Sequence, residues 1–373
     1  MTYCIFSIIT LLSFIIFGRS VENINSIKTY WKRSIIPICL YCLTLGFRKG
    51  WAVDYVVYNN LYMGTSKVGI ESYEPMFRFF VQFLTKIFPD SSVPLFVLEA
   101  LMMVVSILFL LYNHRRVIVF ALPLFYFITA YQAANLVRYI IAMSFIYIAI
   151  PFLLDGKWKK CLLLFCVSFF IHYSAAILIF FVLLIYKVPF FSNVKTNLVL
   201  YTLFAFISVS SIQQAMSPVI TKIIMMLNLG SNQLAKYADE ENVSTVLLGN
   251  RELSQSVSFY YTFCSVFVGY IYIIIGYKLC EYLKKERHFL FLYNVGVFGL
   301  ILMQLSFGAE VFSRIAFFFY YTTIVFFSYI FKYRKTLVTS KFLFVLFVIC
   351  IIYNCYSPIK GLYENFEMLY IWD

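Results

Sequence analysis

Charge is what this sequence has least of. Only 13% of its 373 residues are charged, against 62% hydrophobic, and mean hydropathy is +0.86. So little polar surface cannot clothe a soluble globule. Histidine is scarcer still, with three in the chain, and neither an HxxxH nor a carboxylate-histidine spacing is present. No metal site is expected. There is no G-x-S-x-G elbow of a hydrolase, no ATP motif, no evident internal repeat and no separate soluble domain. The nine cysteines are scattered through apolar segments. The one close pair, Cys39 and Cys42, lies inside an apolar run, which points to small buried hydrophobes rather than a redox or metal site. A net charge of +13 comes without a basic stripe or a nucleic-acid module. Nucleic acid is therefore not expected as a partner, and retention of positive charge on one membrane face explains the excess.

What is present is apolar length. Unalternating hydrophobic runs near 3–18, 34–47, 94–112, 117–131, 137–154, 161–186, 197–213, 257–277, 289–306, 315–331 and 342–355 predict helices, because a lipid core admits only helices or closed barrels. The fold expected is all-α: a polytopic integral membrane protein with about 10–12 transmembrane or re-entrant helices, forming one membrane domain over 1–373. The first run has no basic residue before it and no small-residue cleavage site, so it reads as a retained span. Most of the 43 Phe and 31 Tyr are expected to face lipid or pack, with tyrosines at the interfaces.

Topology turns on 161–186, "CLLLFCVSFFIHYSAAILIFFVLLIY", apolar except for His172. If it enters and returns on one side, the connectors "GRSVENINSIKTYWKR", "NHRR", "DGKWKK", "KVPFFSNVK", "KLCEYLKKERH" and "KYRKTLVTSK" share a face. That face then holds most of the lysine and arginine, with only Glu22, Asp155, Glu281 and Glu286 as acids. If it crosses once, the asymmetry vanishes. Orientation follows short-loop Lys and Arg, so a helical hairpin with His172 near its turn is expected, and the basic face is cytoplasmic. Each arm would rise only about 16–21 Å of a ~30 Å core, which makes the hairpin tilted or re-entrant. The external face then carries a segment over 48–92, the turns "YQAANLVR" and "SFGAEVFSR", a second loop over 214–256 and the C-terminal tail.

Candidate chemistry gathers on that face. Arg138 and Arg314 each stand at the external end of an apolar segment, either as snorkelling anchors or as planar forks suited to phosphate oxygens. Asp54, Tyr58 and Tyr62 fall at steps of four and share a face if helical. Arg48, at the head of the same segment, is a further candidate substrate contact. Glu74 precedes Pro75 and an amphipathic stretch, where a carboxylate either caps a helix or serves a ligand. His172 is an intramembrane ionisable residue and a candidate general base. The loop 214–256 shows no assignable chemistry, and its "NVS" at Asn242 is too weak a pattern to carry any.

These pieces in this order resemble a family. "GWAVDYVVYNNLY", "YEPMFRFFVQFL", "VRYIIAMSFIYIAIPFLLDGKWKK", "IHYSAAIL" and "EVFSRIAFFF" are similar to the successive motifs of the EpsG family of Wzy-type polysaccharide polymerases, from about residue 48 to 331. One position departs from the pattern: the family usually has Gln after the central arginine, and here Tyr139 stands there. The resemblance implies a membrane glycosyltransferase on the outer face of the bacterial cytoplasmic membrane. It would transfer a growing undecaprenyl-pyrophosphate-linked glycan onto a lipid-linked oligosaccharide repeat, for O-antigen, capsule or exopolysaccharide. It further implies Arg138 and Arg314 as charge stabilisers, His172 as base, Asp54 and Glu74 as alternative bases or sugar ligands, no cofactor, and a chain-length regulator as an additional partner. A lipid-linked oligosaccharide flippase, an O-antigen ligase and a membrane-bound acyltransferase are the alternatives. The flippase should show repeat symmetry, and the acyltransferase should take its donor from the cytoplasmic side.

Overall fold

The computed structural model describes residues 2–50, 52–66, 69–191, 193–209, 259–283, 286–305, 310–338, 340–365 and 369–372. The loop expected over 214–256, Asn242 and residues 306–309 of the turn "SFGAEVFSR" lie outside the described residues. The described chain is all-α apart from one two-stranded pairing, and it is a multi-pass membrane protein. Six helical stretches among the described residues are long and apolar enough to cross a bilayer: Thr2–Val21, Val93–Thr129, Val137–Leu154, Thr262–Tyr282, Arg287–Gln304 and Arg314–Lys332.

The chain folds as two compact units, 1–180 with 355–373, and 181–354. The first begins with α1 (Thr2–Val21), α2 (Ile27–Gly46), β1 (Arg48–Lys49), α3 (Ala52–Tyr62), α4 (Pro75–Ile87), α5 (Val93–Leu111), α6 (Ile118–Asn135), α7 (Val137–Leu154) and α8 (Trp158–Ile171). Its spine is a set of neighbouring pairs: α1 packs on α2 and α6, α2 on α5, α5 on α7, and α7 on α8. In lipid no hydrophobic gain draws helices together, so small residues and interhelical hydrogen bonds must do it. Gly18 illustrates this: a Cβ there would lie 2.5 Å from the backbone of Val119, so only glycine lets α1 and α6 approach so closely. Between α1 and α2, the Thr10 and Thr44 hydroxyls hydrogen bond at 2.8 Å.

Two breaks set the site. A single non-helical residue, Leu136, separates α6 from α7, so "YQAANLVR" is helix on both sides of one kink rather than an open turn. After α8, His172 adopts an extended backbone (φ −154°, ψ 113°), and α9 (Ala175–Lys187) starts three residues later. α8 itself packs along α7 and α4. The α7–α8 turn is tight because Gly156 takes φ +73°, which residues with a Cβ rarely adopt.

The second unit contains most of α9, then α10 (Val194–Val209), α11 (Phe259–Tyr282), α12 (Arg287–Leu305), α13 (Glu310–Tyr321), α14 (Thr323–Lys332) and the first half of α15 (Lys341–Asn365). Buried amides tie its turns: Asn197 Nδ2 donates to the Phe191 carbonyl at 2.9 Å, and the Phe191 amide donates to Asn294 Oδ1 at 2.7 Å. The run expected as one segment over 315–331 is divided at Thr322. The Thr322 and Thr323 hydroxyls bond back to the carbonyls of Phe319 and Tyr320, a local competitor of the helix ladder.

The end of α15 returns to the first unit, and β2 (Leu369–Tyr370) pairs antiparallel with β1, Arg48 opposite Tyr370 and Lys49 opposite Leu369. Tyr370 is fully buried and its hydroxyl donates to the Thr44 carbonyl at 3.1 Å. Beneath this pair lies a charge in the core. Arg48, 0% exposed, donates to Glu99 Oε2 at 2.6 Å and to the Leu45 carbonyl at 2.7 Å, and its guanidinium lies 4.7 Å from the Phe96 ring centre. A buried pair broken on one side leaves an uncompensated charge. Glu99→Leu is therefore expected to destabilise the protein by about 3–5 kcal/mol, and the double substitution Arg48→Met/Glu99→Leu to recover most of that loss. Thermal unfolding of the three purified proteins in one detergent checks both.

Candidate active site

Glu74 organises the first unit's charged cluster. Pro75 opens α4 at the position where a missing N–H costs nothing, and Glu74 stands just before it with an extended backbone, 7% exposed. Its Oε2 accepts from Arg138 Nη1. Its Oε1 lies 3.0 Å from His172 Nδ1 and accepts weakly from the Tyr173 amide at 3.4 Å. One carboxylate thus joins the start of α4, the head of α7 and the break after α8.

Why these residues meet follows from helix lengths. Arg138 stands 16 residues before the end of α7, and His172 stands 14 residues after the start of α8. At 1.5 Å per residue those arms are about 24 Å and 21 Å. Two packed helices joined by the short Asp155–Lys157 turn therefore bring Arg138 and His172 to nearly the same level.

Aromatic rings complete the setting. Tyr58 accepts from Arg138 Nε at 2.9 Å. The Arg138 guanidinium lies 4.7 Å from the Tyr73 ring centre and 5.8 Å from that of Phe77, close enough for the ring faces to attract it. Tyr139 meets the His172 ring edge-on at 6.2 Å.

Electrostatics fix the protonation of two members. Burial by itself would push the Glu74 carboxyl up, but the His172 hydrogen bond and the Arg138 charge outweigh it and hold Glu74 down at about 2. Burial pushes the Tyr58 phenol well above its usual range, the nearby Arg138 charge notwithstanding, so it stays a neutral hydroxyl. An ionised carboxylate only accepts, so His172 places its Nδ1–H toward Glu74. In the neutral imidazole the lone pair is then on Nε2.

The other candidates fall elsewhere. Asp54, half-buried one turn before Tyr58, lies close enough to influence Tyr58, Tyr73 and Glu99 electrostatically. Tyr62 does not join the cluster: its hydroxyl donates to the Phe88 carbonyl at 3.0 Å and ties α3 to the far end of α4. Arg48 is engaged with Glu99 in the core. Arg314 is half-buried on α13, in the second unit. Among the described residues, no group of three or more His, Cys, Asp and Glu side chains is placed to hold a metal ion.

A cavity of about 560 Å³ opens between α3 and α4, lined among others by Tyr62, Gln82, Thr85 and Lys86. Lys86 lies 12 residues along α4 from Glu74, a rise of about 18 Å. On α4 the cavity is lined by Val81, Gln82, Thr85 and Lys86, in the second half of the helix, whereas the cluster meets its first turn. The cluster holds charged groups in mutual contact and is the stronger candidate for chemistry.

Some members left little trace in the sequence. Tyr73 and Phe77 flank Glu74 in a run rich in aromatics, and nothing local marks them as partners of Arg138. Glu99 was legible by rule: it is the one acid within an otherwise apolar span, and such residues are paired or functional.

The EpsG family pattern matches residues 33–369, nearly the whole chain. The chain belongs to the EpsG family. It is a Wzy-type polymerase-like family, and membership assigns this protein coarsely to polysaccharide biosynthesis with a polymerase-like function. No curated protein and no solved structure matches the chain.

The depressed Glu74 value has a sign that can be tested. Its carboxyl falls from 4.5 to about 2 on folding, so its contribution is full above 4.5 and disappears as pH falls through 2. Glu74→Gln is expected to be less stable than the wild type at neutral pH, with the gap closing between pH 4.5 and 2. Chemical denaturation of both proteins across that range checks it.

Proposed function

We propose that this EpsG-family protein is a polysaccharide polymerase of the bacterial cytoplasmic membrane. It transfers a growing glycan from undecaprenyl pyrophosphate to the terminal sugar of an incoming lipid-linked repeat on the outer face. The observation that supports this most directly is the double grip of Glu74 on Arg138 and His172, which holds a fixed cation and an oriented imidazole side by side.

Each has a role in such a transfer. The acceptor sugar's hydroxyl oxygen attacks the anomeric carbon of the donor glycan. The new glycosidic bond forms as the bond from that carbon to the pyrophosphate oxygen breaks. The bonding electrons leave with the lipid pyrophosphate, and the hydroxyl proton must go to a base. His172, with Nδ1–H committed to Glu74, takes that proton at Nε2 and acts as the base. Arg138 supplies positive charge where the leaving pyrophosphate gathers negative charge. Because the arginine is already positioned by Glu74, Tyr58 and Tyr73, little reorganisation accompanies the step.

Glu74 in this scheme is a positioning residue, and Tyr58 sets the Arg138 fork. Asp54 and Tyr62 remain proposed contacts for sugar hydroxyls, and Arg314 a second cation for the lipid-linked substrate. Arg48, held in the core by Glu99, is proposed to support the site rather than touch the substrate. The polymerase reading also supplies the proposed partners: the lipid-linked oligosaccharide, the bilayer and a chain-length regulator.

The test is complementation of a deletion strain, with the length distribution of lipid-linked and surface glycan measured alongside protein abundance. Arg138→Ala and His172→Ala are each expected to slow elongation by about 10²–10³-fold, leaving single lipid-linked repeats. Arg138→Lys restores charge without the fork and should remain strongly impaired. Long chains that accumulate on the lipid carrier would instead indicate a ligase, and unchanged glycan would refute the reading.

A further inference from the structure

The face of α4 turned away from the cluster is apolar and uncovered. Phe77 and Val81 point inward and are buried, whereas Phe79, Phe83 and Ile87, at steps of four, are 56%, 51% and 52% exposed. The Phe79 and Phe83 rings stack at 6.1 Å with 19° between their planes, so the stripe is continuous. Arg78, Gln82 and Lys86 form a second stripe, one residue and about 100° of helix rotation away. The helix is therefore divided lengthwise three ways: one face against protein, one apolar and uncovered, and one polar, whose Arg78 pairs with Glu71 at 2.5 Å and whose Gln82 and Lys86 line the open α3–α4 cavity.

Helix length and level say what the apolar surroundings are. Thirteen residues rise about 20 Å, too short to cross a ~30 Å core, so α4 is not a span. Its first turn meets Arg138 and His172, about 21–24 Å above the Asp155–Lys157 turn along α7 and α8. With Lys157, Lys159 and Lys160 marking that turn as the water boundary on one side, the cluster lies roughly 6–9 Å inside the opposite boundary of a ~30 Å core. An exposed phenylalanine stripe on a helix starting at that depth is at the level of acyl chains.

We propose that α4 is a membrane-seated helix. Its Phe79–Phe83–Ile87 stripe rests in the acyl chains of the leaflet nearest the cluster, and that contact holds Glu74 in place to grip Arg138 and His172. The site is thereby assembled on a bilayer surface, and a helix released from the bilayer would carry Glu74 out of register.

The test uses the full-length protein in lipid nanodiscs. Phe83→Trp and Gln82→Trp are compared with the wild type, whose four native tryptophans give the background. Discs are made with ordinary or acyl-brominated phosphatidylcholine, and acrylamide is the aqueous quencher. The added fluorescence of Phe83→Trp is expected to be lost in brominated discs and preserved in acrylamide, with the reverse for Gln82→Trp. Quenching of Phe83→Trp by acrylamide, or by neither agent, as under a second protein chain, would overturn the seating. The consequence for Glu74 rests on the proposed function and is read separately: Phe79→Ser/Phe83→Ser at normal abundance should shorten surface glycan. Lipid quenching with unchanged glycan would retain the seating and reject the coupling to Glu74. Loss of the polymerase reading would leave the quenching result untouched.

Discussion

A carboxylate that is almost dehydrated and yet ionised is the constraint on which the site depends. Arg138 and His172 both reach Glu74 and favour its charge against the cost of burial, and the guanidinium is in turn surrounded by Glu74, Tyr58 and two aromatic rings. Each member is costly alone and acceptable together. That interdependence brings α3, α4, α7 and the break after α8 to one point.

The first unit manages a second charge in the opposite manner. Arg48 and Glu99 are sealed from water and backed by Phe96, with Arg48 itself a member of the β1–β2 pair. Replacing such a pair with apolar side chains of equal shape is often neutral or stabilising, whereas removing one partner alone is costly. The two ion pairs differ in access: the 0% exposure of Arg48 leaves no path to a ligand, while His172 at 22% retains one.

Much of this could be read in advance because lipid imposes such simple rules. Apolar length predicted most helices to within a few residues, and ionisable side chains within or at the ends of apolar segments drew attention to His172, Arg138 and Arg314. Glu74 was placed at a helix start, and the structure adds that its side chain turns to the cluster rather than capping α4. What could not be read is pairwise meeting. Nothing in the spacing says that Tyr58 reaches Arg138 while Tyr62, four residues on, reaches Phe88, because helix α3 turns its two ends toward different neighbours. Likewise the interruption at Thr322 arises from hydroxyls competing for the backbone, a balance invisible to hydropathy.

The strand pair of Arg48–Lys49 with Leu369–Tyr370 has a bearing on biogenesis. Its partners are separated by the whole second unit, and the Tyr370 to Thr44 hydrogen bond spans 326 positions of sequence. During insertion, α2 and α5 enter the bilayer long before Tyr370 is synthesised, so β1 and the Thr44 carbonyl wait for their partners. The first unit is thus the first to begin folding and the last to finish, and a chain stalled anywhere in the second unit leaves β1 without its strand partner.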